Sequence, residues 1–352
     1  MNAPEPGGGL NDRNGRNDQN DKNTAALAHV RRSVREFLAE HAGQLDAGEL
    51  TVAVSGGADS LALTEAAAKA ARDRGVRVRA LVVDHGLQEA SAQVAATAAR
   101  TAQRLGADSA EILTVGVSGP GGPEAAARRA RYSALRAALP GGRGLVLLGH
   151  TLNDQAETVL LGLGRGSGPR SLAGMRPLDP PWARPLLGVP RAVTLAACAA
   201  LGLRPWSDPH NEDPRFTRVR LRTEVLPLLE DVLAGGVAAA LARTAAQLRE
   251  DSEALDQLAG QLFDAALVGD ELDIEVLTPA AQAVRRRALR RWLLAAGVRE
   301  LTDAHLRSVD ALIGHWRGQG AVWLPGGFEA GRIRGKLIVE PGGGRADPRA
   351  DP

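Results

Sequence analysis

A Ser-Gly-Gly turn with two further polar side chains follows a short apolar stretch of the chain, in the order Ser55, Gly56, Gly57, Ala58, Asp59, Ser60. Glycines let backbone N–H groups approach an anion closely, and the N-terminus of the helix predicted over 59–74 adds unpaired donors and a positive dipole end. The two serines supply hydroxyl donors. The pattern therefore predicts a phosphate-binding loop. Asp59 would repel phosphate unless it caps the helix or a cation lies between them, so it suggests a Mg²⁺ ion.

Two other interpretations of this turn remain open from the residues alone. It can be a tight strand-to-helix turn capped by Ser55. It can also be the nucleophile elbow of a hydrolase, although Ala53 stands where that motif has its first glycine. A Walker A loop does not fit, because the Gly335-Lys336 pair is followed by leucine instead of serine or threonine.

Polar side chains also follow two other apolar runs. Asp84 and His85 end the second run, and His150 and Asp154 lie where the fourth run gives way to a helical pattern. Because ligands of parallel sheets bind beyond the carboxyl ends of the strands, we expect these side chains near the phosphate loop. There one of His150 and Asp154 would steady phosphate, and the other would face a metal or an attacking amine. A buried, hydrogen-bonded His150 and a turn-capping Asp84 are the structural alternatives.

Arginines in two segments are candidates for phosphate contacts. Arg128 lies four residues after Glu124, a spacing that suits either a surface ion pair or an arginine held towards a nucleotide. The segment 215–222 carries four arginines and no acid, among them Arg218 and Arg222, and guanidinium forks bind phosphate bidentately. Arginine replaces lysine almost everywhere in this chain, so arginine richness alone carries little weight.

The elements that must position these residues follow from the hydrophobic pattern. Strands are predicted at 50–55, 78–84, 111–115 and 144–149, and helices at 25–41, 59–74, 91–106, 124–139 and 153–163. This alternation is typical of an α/β fold, a parallel twisted sheet with helices on both faces. After about residue 227 the pattern predicts helices at 237–267, 279–296 and 302–313, and two or three short strands over 322–340.

The hydrophobic pattern and the composition also suggest how the chain divides into domains. We expect a disordered tail over 1–24, an α/β domain with the phosphate loop over 25–228, a mainly helical domain with a small β element over 229–340, and a second disordered tail over 341–352. The second domain carries a basic helical face with an aromatic residue, Arg285 to Trp292. That face suits RNA phosphates through Arg286 and Arg290, with a base stacked on the aromatic ring, or it is an ordinary arginine-rich helix.

Composition narrows the class of protein. The chain has 352 residues, with 43 basic and 41 acidic residues for a net charge of +2, which excludes a histone-like polycation but not a local nucleic-acid face. A single cysteine, Cys198, excludes a disulfide framework, a multi-cysteine zinc site and a cysteine-held iron–sulfur cluster. There is no run of about 18 apolar residues and no apolar signal core at the start. We expect a soluble cytoplasmic protein.

Seven segments, taken in order, resemble the bacterial tRNA(Ile)-lysidine synthetases, a family of the PP-loop ATP pyrophosphatase superfamily. They are SGGADS, VDHGL, EAAARRARY, GHTLNDQAET, GRGSG, ARPLL and WSDPHNEDPRFTRVRLR, and they cover most of residues 50 to 230. This chain departs from the family at Thr151, where a second histidine is usual, at Asn153, where an aspartate is usual, and at Val219, where an asparagine is common. The departures weaken any role for the side chains of Thr151 and Asn153.

The resemblance implies a PP-loop fold of the HUP type and an enzyme that uses ATP and Mg²⁺ to adenylate the wobble cytidine of the isoleucine tRNA with a CAU anticodon. Free L-lysine then displaces AMP through its ε-amine. Lysidine forms at C2, with AMP and pyrophosphate released, and the tRNA changes from methionine to isoleucine in codon and amino-acid specificity.

The resemblance also suggests roles for the residues named above. ATP binds at Ser55, Gly56, Gly57, Ala58, Asp59 and Ser60, and Asp59 also holds Mg²⁺. The catalytic candidates are Asp59, Asp84, His150 and Asp154, with Asp84 and Asp154 equally placed to recognise lysine or take its proton. Pyrophosphate or tRNA contacts fall to Arg128, Arg218, Arg222, Arg286 and Arg290. We expect a form without the longer C-terminal domain of some relatives, and so fewer tRNA contacts.

Three other functions fit the sequence less well. A thiolase of tRNA generally needs paired cysteines or a cluster, which Cys198 alone does not provide. A serine hydrolase built on Ser55 lacks a recognisable downstream triad. An inactive RNA-binding relative is disfavoured by the intact loop from Ser55 to Ser60.

Overall fold

The computed structural model describes residues 11–45, 48–86, 90–119, 122–166, 168–207 and 213–342. These divide into two compact units, Met1–Ala246 and Gln247–Pro352. The expected tails lie partly outside the described residues, at 1–10 and 343–352, as do residue 167 of GRGSG and residues 208–212 of the WSDPHNEDP segment.

The first unit alternates strands and helices, as predicted. Its strands are β1 (Glu49–Val54), β2 (Arg77–Asp84), β3 (Ser109–Thr114), β4 (Val146–Leu147), β5 (Leu178–Asp179) and β6 (Trp182–Ala183). Its helices are α1 (Asn11–Glu40), α2 (Ala58–Arg72), α3 (Ser91–Arg104), α4 (Gly122–Ala137), α5 (Leu152–Gly164), α6 (Pro169–Leu172), α7 (Arg191–Ala200), α8 (Thr217–Arg220) and α9 (Leu226–Val232), with a π-helical turn at Leu221–Val225 and the start of α10 (Val237–Ala266).

The six strands form one sheet in the order β3-β2-β1-β4-β6-β5, parallel except for the antiparallel pair of β5 and β6. Successive residues of a strand pack on opposite faces. Val52 and Val54 of β1 join a core with α1, α2, α3 and α7, whereas Leu81 of β2 joins a second core with Leu135 of α4. Burial on both faces explains why these strands are almost continuously apolar. The predicted α/β fold is confirmed.

Two features of the first unit differ from the sequence expectation. The first helix begins at Asn11, so residues 11–24, expected in a disordered tail, are helical. Polar side chains spaced four residues apart support these turns, with Lys22 paired to Asp18 and Gln19 bonded to Asn23. The short strands β5 and β6 were not predicted, because a strand of two residues is too short to show the alternation of apolar and polar side chains.

The second unit contains the rest of α10, which is continuous across the division. The predicted boundary near residue 228 therefore lies before the structural one, which falls inside this helix. The remaining helices are α11 (Ile274–Leu277), α12 (Gln282–Ala295) and α13 (Asp303–Gly314). An antiparallel sheet has the order β7-β8-β11-β10-β9, from β7 (Leu267–Val268), β8 (Glu271–Asp273), β9 (Val322–Leu324), β10 (Phe328–Ile333) and β11 (Lys336–Pro341).

The second unit has its own core, in which Leu272, Leu289, Leu312 and Leu337 are fully buried. The mainly helical unit with a small β element is as predicted, although the β7–β8 pair was missed. Across the described part of the chain, no single helix is long and apolar enough to cross a membrane. The segments Thr217–Val232 and Val237–Ala266, which meet at 95°, satisfy the criteria of length and composition only when they are taken together.

Candidate active site

The loop predicted to bind phosphate connects β1 to α2, and its serine hydroxyls hold its shape. The Ser60 hydroxyl accepts from the Ser55 N–H at 3.1 Å and donates to the Gly57 carbonyl at 2.9 Å. Gly56 adopts φ +83°, a conformation that favours glycine. Gly57 precedes α2 without a side-chain cap, so the first N–H groups of the helix have no intrahelical partner. The loop offers backbone donors at a positive helix end, which suits an anion.

Three segments that follow later in the chain contact this loop and fix it in place. Gly149, just after β4, approaches it so closely that a Cβ there would lie 3.0 Å from loop backbone atoms. The Trp206 N–H donates to the Gly56 carbonyl at 3.0 Å. The buried Cys198 of α7 donates from Sγ to the Ala58 carbonyl at 3.3 Å, and burial raises the pKa of its thiol to about 11. The single cysteine therefore supports the loop as a protonated, unreactive thiol.

The carboxylate of Asp59, in the first turn of α2, is held by two side chains of α7. The Thr194 hydroxyl donates to Asp59 Oδ1, and Arg191 Nε lies 3.4 Å from Asp59 Oδ2. Burial raises the pKa of Asp59, against the opposing effects of Arg191 and Thr194. The guanidinium of Arg191 thus places a positive charge beside this carboxylate from within the chain.

The carboxylate of Asp154, in the first turn of α5, accepts bonds on both oxygens. Oδ2 accepts from the N–H and the hydroxyl of Thr151, each at 2.8 Å, which caps the helix, and Oδ1 accepts from Arg191 Nη2 at 2.8 Å. Burial alone would raise the pKa of Asp154, but Arg191 and the Thr151 donors hold it below its usual value. Asp154 is therefore a fixed negative charge, and one guanidinium, Arg191, joins it to Asp59.

Two arginines predicted to contact phosphate are paired with a buried glutamate. Arg222 donates to Glu157 at 2.7 Å and 3.1 Å, and Arg218 Nη1 lies 3.9 Å from the same carboxylate. Burial would lower the pKa of Arg222, but the bond to Glu157 raises it. Arg222 Nη2 also lies 3.5 Å from Asp154 Oδ1. Both arginines are thus held by carboxylates at the site, with donors left for a further anion.

His150 lies beyond β4, and its Nδ1 is buried with no hydrogen-bond partner. Burial, with the nearby guanidinium groups of Arg131 and Arg184, lowers the pKa of His150 to about 3, although Asp154 opposes this. The imidazole is therefore neutral near pH 7. In the absence of a bound anion the ring carries no positive charge, so it can stabilise an anion only through a hydrogen bond.

Asp84 ends β2, as predicted, and is buried. Its Oδ1 accepts from the Gly86 N–H at 3.0 Å, so the expected turn capping is present. Asp84 also lines the same cleft as the loop, which keeps its proposed catalytic role open. Capping and ligand recognition are compatible here, because a carboxylate has two oxygens.

One cleft of about 760 Å³ at the carboxyl ends of the strands brings most of the predicted residues together. Its lining includes Ser55, Gly57, Ala58, Asp59, Ser60, Asp84, Arg128, His150, Asp154, Arg218 and Arg222. Gly56 shapes the loop through its positive φ and is not part of the cleft lining. Three further side chains of the lining, Arg131, Arg191 and Trp206, were not predicted. Arg131 and Trp206 lie in segments that carry the family resemblance, whereas no local pattern distinguished Arg191.

The lining also tests whether the residues suit a Mg²⁺ ion. Within the described residues, no group of three or more His, Cys, Asp and Glu side chains stands together as a metal cage. Protein-bound Mg²⁺ commonly uses only one or two carboxylates, with substrate phosphates and water completing the shell. Asp59 and Asp154 face the cleft beside the phosphate loop, so the residues fit an ion of that kind.

The hydrolase interpretation of Ser55 finds no support in the local contacts. The Ser55 hydroxyl lies 3.2 Å from the Ser60 hydroxyl and accepts from the Gly57 N–H at 3.4 Å. Among the contacts of described residues, no histidine bonds it. A nucleophilic serine needs a base within hydrogen-bond reach.

In the second unit, only part of the predicted basic face of α12 is exposed to solvent. Arg285 is buried and bonded to Asp310, and Trp292 is buried with its Nε1 donating to the Asp270 carbonyl at 2.8 Å. The prediction that a base stacks on Trp292 is therefore wrong, because the ring belongs to the core. Arg286 and Arg290 are partly exposed and remain predicted phosphate contacts.

Two family models match the chain, one within each of its two compact units. A family model described as a PP-loop domain matches residues 26–229. A second, described as the TilS substrate binding domain, matches residues 272–338. The first match covers more than half of the chain.

Curated relatives match almost the whole chain. The tRNA(Ile)-lysidine synthase of Rhodococcus opacus (strain B4) is 58% identical over 321 residues, which cover 89% of this chain and 95% of the relative. The tRNA(Ile)-lysidine synthase of Mycobacterium tuberculosis (strain ATCC 25618 / H37Rv) is 55% identical over 319 residues, 90% of this chain and 94% of the relative.

A solved structure shares the fold at low identity. The U34-tRNA thiolase NcsA from Methanococcus maripaludis, solved with its 4Fe-4S cluster, aligns with a TM-score of 0.54 and 19% identity over 64% of this chain and 80% of its own. At that identity the likeness concerns the fold alone.

Proposed function

The chain belongs to the tRNA(Ile)-lysidine synthases, and on that premise we propose how its cleft carries out the reaction. It is an ATP-using ligase that forms lysidine in tRNA(Ile). The observation that carries the proposal is the uncapped start of α2, where backbone donors face a cleft lined by arginines and carboxylates. That arrangement can hold the diphosphate of ATP while its α-phosphorus is attacked.

The first step is adenylation of the tRNA. The oxygen at C2 of the wobble cytidine attacks the α-phosphorus of ATP, and pyrophosphate leaves with its electron pair. Backbone N–H groups between Gly57 and Ser60 would stabilise the negative charge on the leaving group, and Arg128, Arg218 and Arg222 would add charge-assisted bonds. Their positions in the cleft lining support these roles.

Asp59 and Asp154 would hold Mg²⁺ together with the phosphates of ATP. When bound, the ion supplies positive charge at the phosphates, which lowers the repulsion between them and the two carboxylates. Arg191 already neutralises part of that negative charge by joining both side chains, so it would keep the carboxylates in place when no nucleotide is bound.

The second step is the attack of free L-lysine. Its ε-amine displaces AMP at C2, and the amine loses a proton as the new C–N bond forms. Asp84 and Asp154 are the carboxylates that can face the amines of lysine. Asp154 already accepts four close contacts and has a low pKa, so we assign it an orienting role. Asp84 is then the stronger candidate for receiving the proton, with the neutral His150 as a hydrogen-bond partner.

The second unit would bind the tRNA backbone. Arg286 and Arg290 of α12 are partly exposed, and the match to a substrate binding domain covers this region. Contacts of this kind add affinity without reading sequence. Because the substrate is tRNA, we also propose that the enzyme works in the cytoplasm.

Incorporation of radiolabelled L-lysine tests this function. The purified chain should label a transcript of the isoleucine tRNA with a CAU anticodon, and not the methionine tRNA, which shares that anticodon. AMP and pyrophosphate should form in step with the label, and only when lysine, tRNA and ATP are all present. ATP-independent ester hydrolysis that disappears in Ser55→Ala would instead favour the hydrolase.

A further inference from the structure

One aromatic side chain of the second unit is exposed to solvent. Trp316, in the turn between α13 and β9, has 38% of its surface exposed, whereas the other aromatic side chains described in this unit are buried or half-buried. Leaving so large an apolar ring in water is unfavourable. A tryptophan at this position therefore calls for a reason in the turn itself or for a partner.

The turn that carries Trp316 is shaped by the side chain of Gln319. Its Nε2 donates to the carbonyls of Ala311 and His315, each at 3.2 Å. Its Oε1 accepts from the Arg317 N–H at 2.6 Å. These bonds join Gln319 to main-chain atoms and do not involve the indole, so the shape of the turn does not explain the tryptophan.

A guanidinium holds the ring of Trp316 in place. Arg332 of β10 has its Cζ 5.2 Å from the ring centroid, a distance at which a cation is attracted to an aromatic face. Arg332 Nη1 also donates to the Leu312 carbonyl at 3.0 Å, in the last turn of α13, which anchors the guanidinium. The ring is thus supported by Arg332, and its exposed surface stays open to a second planar group.

The chain around this ring is basic. Segments 315–321 and 332–335 contain one histidine and three arginines and no acid. Among the described residues, no carboxylate forms an ion pair with these arginines, whereas Arg287 is paired with Asp256 and Arg307 with Asp303. The ring and its basic neighbours are called the Trp316 patch below: Trp316, Arg317, Arg332 and Arg334.

An exposed ring among unpaired guanidinium groups is a combination that suits RNA. Phosphates bind the arginines, and bases stack on aromatic rings. A base within a duplex is already stacked between its neighbours, so a side chain can stack only on an unpaired one. The tRNA substrate carries unpaired bases joined to phosphates, and the match to a substrate binding domain, residues 272–338, includes the whole patch.

We propose that the Trp316 patch binds one unpaired nucleotide of the tRNA other than the wobble cytidine. Its base stacks on the indole of Trp316, which Arg332 supports, and Arg317 and Arg334 contact the neighbouring phosphates. The inference rests on the proposed function, in which the wobble cytidine enters the cleft of the first unit. It deepens that function by adding a stacking contact to the charge-based contacts proposed for α12.

Trp316→Ala tests the stacking contact. We expect the Kd of the CAU-anticodon isoleucine transcript and the KM for tRNA to rise about 10-fold or more, while kcat and the KM values for ATP and lysine stay within about twofold of wild type. Trp316→Phe keeps an aromatic face and should restore most of the affinity. Leu258→Ala is the matched control, because Leu258 is another exposed apolar side chain of the second unit, on α10.

The salt dependence of binding separates stacking from charge. Trp316→Ala should weaken tRNA binding without changing the slope of log Kd against log salt, because an uncharged ring displaces no counterions. Arg317→Gln should lower that slope by about 0.7–0.9 if this arginine contacts one phosphate. Equal tRNA affinity in wild type, Trp316→Ala and Leu258→Ala would overturn the inference. So would a loss of affinity in Trp316→Ala that comes entirely from a lower slope.

A second measurement covers the case in which Trp316→Ala does not fold. Quenching of tryptophan emission by bound tRNA should be smaller in Trp316→Phe than in wild type, since a base on the indole quenches it. Equal quenching would overturn the inference.

The remaining outcomes separate this inference from the function on which it rests. A Trp316→Ala variant with unchanged tRNA affinity and an altered oligomeric state in sedimentation would make the patch a protein interface and overturn the inference alone. Wild type that binds the transcript through Trp316 and forms no lysidine would overturn the proposed function alone.

Discussion

Two arginines that are paired with aspartates show how the same side chain serves different purposes in the two units. In the second unit, Arg285 donates to both oxygens of Asp310, at 2.5 Å and 3.1 Å, and to the carbonyls of Thr278 and Ala280. In the first unit, Arg191 lies between Asp59 and Asp154, with one hydrogen bond of 2.8 Å and a longer contact of 3.4 Å. The Arg191 side chain is 24% exposed and that of Arg285 6%.

The two arginines differ in how completely their charge and their hydrogen-bond donors are paired. Arg285 and Asp310 balance each other one to one and are closed to solvent, so no ligand is needed. Arg191 is shared between two carboxylates in an open cleft, and its own Nε makes no hydrogen bond. Complete pairing makes a structural ion pair, whereas incomplete pairing at a cleft makes a site that a ligand can complete.

The largest effect on stability should follow from Arg285→Met. Removing the cation leaves Asp310 buried without its partner, and we expect the free energy of unfolding to fall by about 3–5 kcal/mol. Urea denaturation measures the change. The double variant Arg285→Met with Asp310→Leu should recover most of the loss. A single variant that keeps its stability but loses tRNA affinity would place Arg285 in the tRNA site.

The largest effect on activity should follow from Asp59→Asn. The change removes one of the two carboxylates held by Arg191, and the proposed Mg²⁺ ligand with it. We expect lysine incorporation to fall by about 10²–10³-fold while the Kd for tRNA stays within about twofold. Asp73→Asn, at the exposed end of the same helix, is the control and should keep full activity. Loss of tRNA binding in Asp59→Asn would assign this residue to folding or docking instead.

His150 gives a smaller, pH-dependent difference. Its pKa is about 3 in the folded chain against 6.5 in model peptides, so the unfolded state binds more protons between these values and stability falls as pH decreases from 6.5. We expect the decrease in the free energy of unfolding between pH 6.5 and 4.5 to be smaller in His150→Gln, by about 1 kcal/mol per pH unit. Thermal melts across this range measure it. His315→Gln, at an exposed position, should follow wild type; equal slopes for all three proteins would contradict burial of a neutral His150.

The smallest effects are expected on α12. Arg286→Gln and Arg290→Gln should each lower the slope of log Kd for tRNA against log salt by about 0.7–0.9 if each arginine neutralises one phosphate. Filter binding across a salt series provides the slope. Arg307→Gln removes an exposed arginine paired with Asp303 on α13 and should leave the slope unchanged. Unchanged slopes in the α12 variants would make them ordinary surface arginines.

The sequence alone predicted the elements that local pattern controls. Apolar runs located β1 and β2, which are largely buried, and β3, which lies at the exposed edge of the sheet. The glycines and serines at Ser55–Ser60 predicted the loop between β1 and α2. The end of β2 also indicated Asp84, and the end of β4 indicated His150 and Asp154. Each of these predictions rests on neighbours within about ten residues, where periodicity and turn chemistry are informative.

Contacts between distant segments could not be predicted in this way. Arg191 meets Asp59 only because α7 packs against α1 and α2, and nothing local sets the rotation of that helix. In α12, the pattern showed five arginines around a tryptophan, but packing buried Arg285 and Trp292 and left Arg286 and Arg290 at the surface. The sequence by itself determined the strands, the loop and the kinds of chemistry available. The tertiary structure decided which charges are paired, because pairing depends on distances between side chains far apart along the chain.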